Sequence, residues 1–227
     1  MNVLYLSEQP VSIEKYDVCG IHQNYCERNL VTHLGLSGSD NINKIVSDNL
    51  NLFHMKPPYA HDAPLKNAVT FFVEASKYLT DAQKKNLDRF LITCKQELAE
   101  SSINSAHYII YPCFIVEDVP IKTRRYSCAG FVIQAFKKMD FELIDLNDSS
   151  IPRYDLNGII QRHPAGPLLR RNSSISNQYG LAPEGSSWPI IFPGYVVRAV
   201  LHWILQKQAG DMSCELYHPQ SGDEYLP

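Results

Sequence analysis

The chain has 227 residues, of which 44% are hydrophobic, and this is enough apolar material for one sizeable core. Its formal net charge of −3 offers no basic field that would favour nucleic acid or an anionic membrane surface. No apolar run is long enough to span a bilayer, the first residues lack the pattern of a secretory signal, and the six cysteines have no regular spacing. We therefore expect one cytoplasmic domain over residues 1–227, with reduced thiols and no nucleic-acid partner.

Short apolar or alternating stretches at the start of the chain predict strands. They cover residues 3–6, 16–21, 30–36 and 42–46. The sequence Gly-Ser-Asp-Asn at 38–41 predicts the turn that joins the last two strands into an antiparallel hairpin.

The next segment, at about 60–100, is predicted to be an inserted helical hairpin. Apolar residues recur with roughly helical spacing over 65–79, which predicts its first helix. Thr80 and Gln83 form a capping box, which predicts the start of the second helix. Its apolar face carries Leu87, Phe90 and Leu91.

The second half of the chain predicts a strand, two helices and a loop-rich connection. The strand covers 108–116, one helix runs from Cys128 to about Met139, and the last helix covers 194–208. The tail, 217–227, is predicted to be a surface segment. The pattern as a whole predicts a mixed α+β fold.

Cys128 is the residue whose position indicates chemistry. It lies in the sequence Ser-Cys-Ala-Gly at 127–130, where the apolar periodicity of a helix begins. The unpaired N–H groups and the positive dipole end of a helix N-terminus favour an anion. We therefore expect a lowered pKa and a nucleophilic thiolate at Cys128.

The segment Tyr-Ser-Cys-Ala-Gly-Phe-Val at 126–132 resembles the nucleophile helix of NlpC-like cysteine peptidases, a branch of the papain-like superfamily. The resemblance implies a small antiparallel sheet packed on that helix, with Cys128 as the nucleophile. In the usual order of the family a histidine follows the cysteine within a His-apolar-Gly-apolar strand. No segment after Cys128 has that form.

The form occurs before the cysteine instead, as Thr-His-Leu-Gly-Leu at 32–36. This order resembles the circularly permuted NlpC-like group, and it implies that His33 is the base. Asp48, at the end of the predicted partner strand, is the expected residue that orients the imidazole across the hairpin. Because a shift of one residue reverses the face of a strand, Ser47, Asn49 and Asn43 remain open for that role.

The resemblance implies a cysteine peptidase or amidase that acts on a peptide or acyl-amide bond without a cofactor or metal. Cys128 would attack the carbonyl carbon, and its backbone N–H would contribute to an oxyanion hole. Hydrolysis and acyl transfer both remain open. His107 and His163 are the reserve candidates for the base.

Two other functions remain open. One is a papain-fold binding or scaffolding protein that keeps the nucleophile helix only for packing. The other is a zinc protein, because Cys19, His22 and Cys26 follow one another closely and His33 is available as a fourth ligand.

Overall fold

The computed structural model of the protein describes nine ranges of residues. They are 3–6, 9–45, 50–55, 59–64, 69–99, 127–146, 149–162, 187–211 and 214–227. Side chains are described in these ranges except at 59–64 and 97–99. The predicted strand at 108–116 and the residues Asp48, His107 and His163 lie outside them.

An antiparallel sheet of six strands is the centre of the fold, in the order β1-β8-β3-β4-β6-β7. Two further pairs, β2 with β5 and β9 with β10, form separate two-stranded sheets. The strands are β1 (Leu4–Tyr5), β2 (Val11–Ile13), β3 (Val18–Tyr25), β4 (Arg28–Ser37), β5 (Asn41–Lys44), β6 (Asn51–Met55), β7 (Tyr59–Pro64), β8 (Phe71–Val73), β9 (Arg153–Tyr154) and β10 (Trp188–Pro189).

Four helices lie within the described ranges, and one 3-10 turn covers Ser76–Tyr78. The mixed α+β class predicted from the sequence is confirmed, and so are the helices expected at Cys128 and near residue 194. The helices are α1 (Asp81–Ala99), α2 (Cys128–Lys137), α3 (Leu156–Arg162) and α4 (Pro193–Ala209). None of the helices in these ranges is long and apolar enough to cross a membrane.

The start of α1 confirms the capping box. The Thr80 backbone N–H donates to Gln83 Oε1 at 2.8 Å, and the Gln83 N–H donates to Thr80 Oγ1 at 3.3 Å. The predicted apolar face is buried as well, at Leu87, Phe90 and Leu91. Local capping chemistry and helical periodicity agree here, which is why the sequence locates this helix correctly.

The helix predicted over 65–79 is wrong. Its described part consists of the strand β8 and the 3-10 turn, so the described residues of the insertion contain one helix rather than a helical hairpin. The residues of β8 are buried on both faces, at 71–73. A short, fully buried strand has no alternation that would separate it from a helix by periodicity alone.

The predicted pairing of the fourth strand is also wrong. β5 pairs with β2, through Val11 opposite Lys44, and not with the strand that carries His33. β4 pairs instead with β3 along one edge and with β6 along the other. The hairpin geometry that selected Asp48 therefore does not exist in this fold.

The sheet separates two apolar clusters. On one face, Leu34 and Leu36 of β4 belong to the cluster that contains Phe131 of α2 and Val197 of α4. On the other face, Ile21 of β3 belongs to a smaller cluster that extends to β2. The helix α2 thus packs on β4 by the burial of apolar side chains, and this places its N-terminus beside that strand.

Candidate functional site at the start of α2

The first turn of α2 is fixed by a side-chain cap. Ser127 has the extended backbone of an N-cap residue, and its Oγ accepts the Gly130 N–H at 2.9 Å. Every residue from Cys128 to Phe136 is buried, so the cap satisfies a donor that water does not reach. The position of Cys128 therefore follows from a defined helix start.

We expect Ser127→Ala to lower the free energy of unfolding by about 1 kcal/mol, since the Gly130 N–H loses its acceptor. Urea denaturation measures this loss. Ser39→Ala is the control, because among the described residues no hydrogen bond involves the Ser39 hydroxyl, and it should change stability by less than about 0.5 kcal/mol. Equal effects of the two substitutions would contradict a capping role.

The Cys128 thiol is buried and its pKa is raised, not lowered. Only 1% of the residue is exposed, and desolvation raises the pKa of the thiol to about 11. Hydrogen bonds from the backbone N–H groups of Leu34, Ala129 and Cys128 oppose that shift without reversing it. The expectation of a lowered pKa at this helix start is therefore wrong, because the effect of burial outweighs that of the helix terminus.

The Leu34 N–H reaches the sulfur because β4 has a gap on one of its edges. On that edge, β6 pairs with residues 35–37. The segment 224–226 pairs with residues 29–31, where the Val31 N–H donates to the Glu224 carbonyl at 3.1 Å. Among the described strands, none pairs with residues 32–34 there, and the Cys128 thiol occupies the opening at Leu34.

His33 lies next to this contact, and its imidazole is held by a second histidine. His33 Nε2 is 3.0 Å from His54 Nδ1, and the two rings meet edge to face. His54 lies on β6 and is fully buried. The Nε2 atom of His33 is thus the ring nitrogen that interacts with His54, and the tautomers of the two rings decide which of them donates.

Strand register explains how the two histidines meet. Gly35 lies directly opposite His54, so both positions share a face with His33, two residues earlier on β4. A Cβ atom on Gly35 would lie 2.9 Å from His54 Cβ and 2.8 Å from the Phe53 carbonyl oxygen. The glycine of the Thr-His-Leu-Gly sequence is thus required for the close approach of β6.

The same register places His33 and His54 on the face opposite Leu34 and Leu36, which pack with α2. The imidazole of His33 therefore lies on the face of the sheet opposite α2, the helix that begins at Cys128. The backbone N–H of Leu34, the residue after His33, therefore meets the Cys128 sulfur, whereas the His33 ring meets His54.

His54 was missed by the sequence analysis, although a signal for it exists. The strand at 51–55 alternates in character, with Leu52 and His54 on one face and Phe53 and Met55 on the other. The predicted partner of β4, the strand that carries His33, is the next strand along the chain, β5. In the structure β4 pairs with β6 instead.

The zinc alternative is not assembled in the structure. Cys19 is buried and Cys26 is exposed at the β3–β4 turn. His22 Nδ1 is 2.8 Å from Thr70 Oγ1. Among the described residues, no group of three histidine, cysteine or acidic side chains is placed to hold a metal ion.

A cavity of about 380 Å³ lies elsewhere, beside β2 and β5. Its lining includes Lys15, Asp40 and Lys84, and none of the candidate site residues. The Cys128 side chain does not line this cavity, and it is buried.

Comparisons with family models, curated proteins and solved structures found no match to this chain.

Proposed function

We propose that the protein is a cysteine hydrolase of the papain-like, permuted NlpC-like kind, with Cys128 as nucleophile and His33 as base. The observation that carries this proposal is that the Leu34 N–H, directly after His33 on β4, hydrogen-bonds to the Cys128 sulfur, while His54 holds the His33 ring at Nε2. A nucleophile, a base and an orienting residue are the parts that such catalysis needs.

In this proposal His54 takes the role that the sequence analysis gave to Asp48. Its Nδ1 fixes the His33 ring by a hydrogen bond, which also determines the His33 tautomer. Buried imidazole serves here in place of a carboxylate. The His33 cation formed during the reaction is then stabilised by the ring dipole of His54 and not by a full negative charge.

The reaction begins with proton transfer from the Cys128 thiol to the His33 imidazole. The sulfur forms a bond to the carbonyl carbon, and the oxyanion accepts hydrogen bonds from main-chain N–H groups at the start of α2. The amide C–N bond then breaks and the leaving nitrogen takes the proton from His33. Water, or an acceptor amine in a transfer reaction, attacks the thioester and releases the thiol.

We propose a peptide or acyl-amide substrate and a cytoplasmic location. The five cysteines within the described ranges are thiols, which supports a reducing compartment.

An activated acyl ester, p-nitrophenyl acetate, tests the chemistry in a Cys26→Ser/Cys214→Ser background that lacks the two more exposed described thiols. We expect an acetyl group on the Cys128 peptide by mass spectrometry, followed by its loss as the thioester hydrolyses. Cys128→Ala should abolish both. Unchanged ester turnover in Cys128→Ala would contradict the proposal.

The burial of the thiol also favours the second candidate, a non-catalytic binding or scaffolding protein. A thiol that is 1% exposed with a pKa of about 11 is typical of a packing residue. This function predicts slow acetylation of Cys128 that does not depend on His33 and is not followed by deacetylation.

A further inference from the structure

Residues 224–226 are a buried part of the fold, although the whole tail 217–227 was predicted to be a surface segment. Glu224 is 1% exposed, and Tyr225 and Leu226 are also buried. The Leu226 N–H donates to the Asn29 carbonyl at 2.8 Å, and the Val31 N–H donates to the Glu224 carbonyl at 3.1 Å. The segment therefore extends the edge of β4 as a short antiparallel strand.

One ion pair fastens this segment to α3. Arg162 Nε is 2.8 Å from Glu224 Oε1, and Glu224 Oε2 accepts the Gly222 N–H at 2.8 Å. The carboxylate is almost fully buried, whereas a quarter of the Arg162 side chain remains exposed. Removal of one member of a buried pair leaves the other charge without compensation, so Glu224 stays in place only while Arg162 is present.

The fastened segment ends where the candidate site begins. Its last main-chain hydrogen bond to β4 is at Val31, two residues before His33 and three before Leu34. The gap that holds the Cys128 thiol is thus bounded by β6 on one side and by this segment on the other. Release of the segment would leave 29–34 paired on one edge only.

We propose that Arg162 and Glu224 are positioning residues, which hold the 220–226 segment on β4 and thereby fix His33 and the Leu34 N–H relative to Cys128. The role of His33 in this proposal rests on the proposed function. The Arg162–Glu224 ion pair, together with the 220–226 segment that it holds, is called the clasp, and it is a property of the fold. Neither residue touches the reacting atoms.

Arg162→Ala tests the clasp, with Arg153→Ala as the matched control, because Arg153 is exposed and donates to the Ser187 carbonyl at 2.8 Å. Amide hydrogen exchange should rise at least tenfold at residues 29–31 and 224–226 in Arg162→Ala, while exchange in α4 stays slow and shows that the protein is folded. Glu224→Gln removes the charge and leaves one acceptor oxygen, so it can accept from Arg162 or from Gly222 but not from both, and it should show a smaller increase.

The rate at which iodoacetamide alkylates Cys128, measured against pH, separates positioning from mere stability. We expect Arg162→Ala to shift the pH midpoint of alkylation and Arg162→Lys to restore part of the shift. Faster exchange with an unchanged pH profile would overturn the proposal, and so would unchanged exchange. If His33→Ala leaves the wild-type profile unaltered while Arg162→Ala shifts it, the base assignment fails and the clasp stands.

Discussion

Replacing His33 with alanine is expected to lower the rate of Cys128 alkylation at pH 7 by about two orders of magnitude. A thiol with a pKa of about 11 is ionised in only about one molecule in 10,000 at pH 7, so reaction without a base is slow. An imidazole within reach removes the proton as the sulfur attacks. Alkylation by iodoacetamide in the Cys26→Ser/Cys214→Ser background measures the rate.

The alkylation rate of Cys128 should depend on pH differently in His33→Ala and in the wild type. In His33→Ala the rate should rise about tenfold per pH unit from pH 7 towards pH 11, because only the thiolate reacts. With His33 present, the rate should depend less steeply on pH, because the imidazole takes the proton as the sulfur attacks. The wild-type and variant profiles therefore converge at high pH.

His54 provides a graded version of the same experiment. His54→Ala should lower the alkylation rate about tenfold by releasing the His33 ring, and His54→Gln should recover part of it, since an amide can still bond to Nε2. His22→Ala is the control, because His22 contacts Thr70 on another part of the sheet. A pH profile identical in wild type and His33→Ala would exclude His33 as the base.

The features predicted correctly from the sequence are those that depend on interactions between residues close together in the chain. The helix at Cys128 and the capping box at Thr80 depend on residues within a few positions of each other, and both were predicted. His33 was placed on the correct kind of strand for the same reason. The pairing of β4 with β6 depends on contacts between distant segments, which hydrophobic periodicity does not encode.

The thiol pKa illustrates the same limit in electrostatic terms. The helix N-terminus at Cys128 is visible in the sequence, and its effect on a thiolate is known in sign. The opposing cost of burial depends on what surrounds Cys128, and this includes the backbone of Leu34, on a strand much earlier in the chain. A local motif therefore indicates the effect of the helix N-terminus on the thiol pKa but not the effect of burial, and at Cys128 the effect of burial is larger.

Gly194→Ala is the second substitution with a large expected effect, and it acts on the clasp from the opposite side. Gly194 lies in the first turn of α4, where a Cβ atom would be 2.3 Å from the Glu224 carbonyl oxygen and 2.4 Å from its carbon. Both are backbone atoms, so no side-chain rotation relieves the clash. We expect a loss of about 2–3 kcal/mol in the free energy of unfolding, measured by urea denaturation.

Gly158→Ala is the matched control, since this glycine also lies in a helix but its Cβ would meet only side-chain atoms, at 3.1 Å or more. Alanine is a better helix former than glycine by about 1 kcal/mol, so this variant should be as stable as wild type or more so. In Gly194→Ala the 220–226 segment has to move away from α4, and amide hydrogen exchange at residues 29–31 should rise as it does in Arg162→Ala. A destabilised Gly194→Ala protein with slow exchange at residues 29–31 would show that α4 moves instead of the 220–226 segment. In that case β4 keeps its hydrogen bonds to this segment even with a methyl group at position 194.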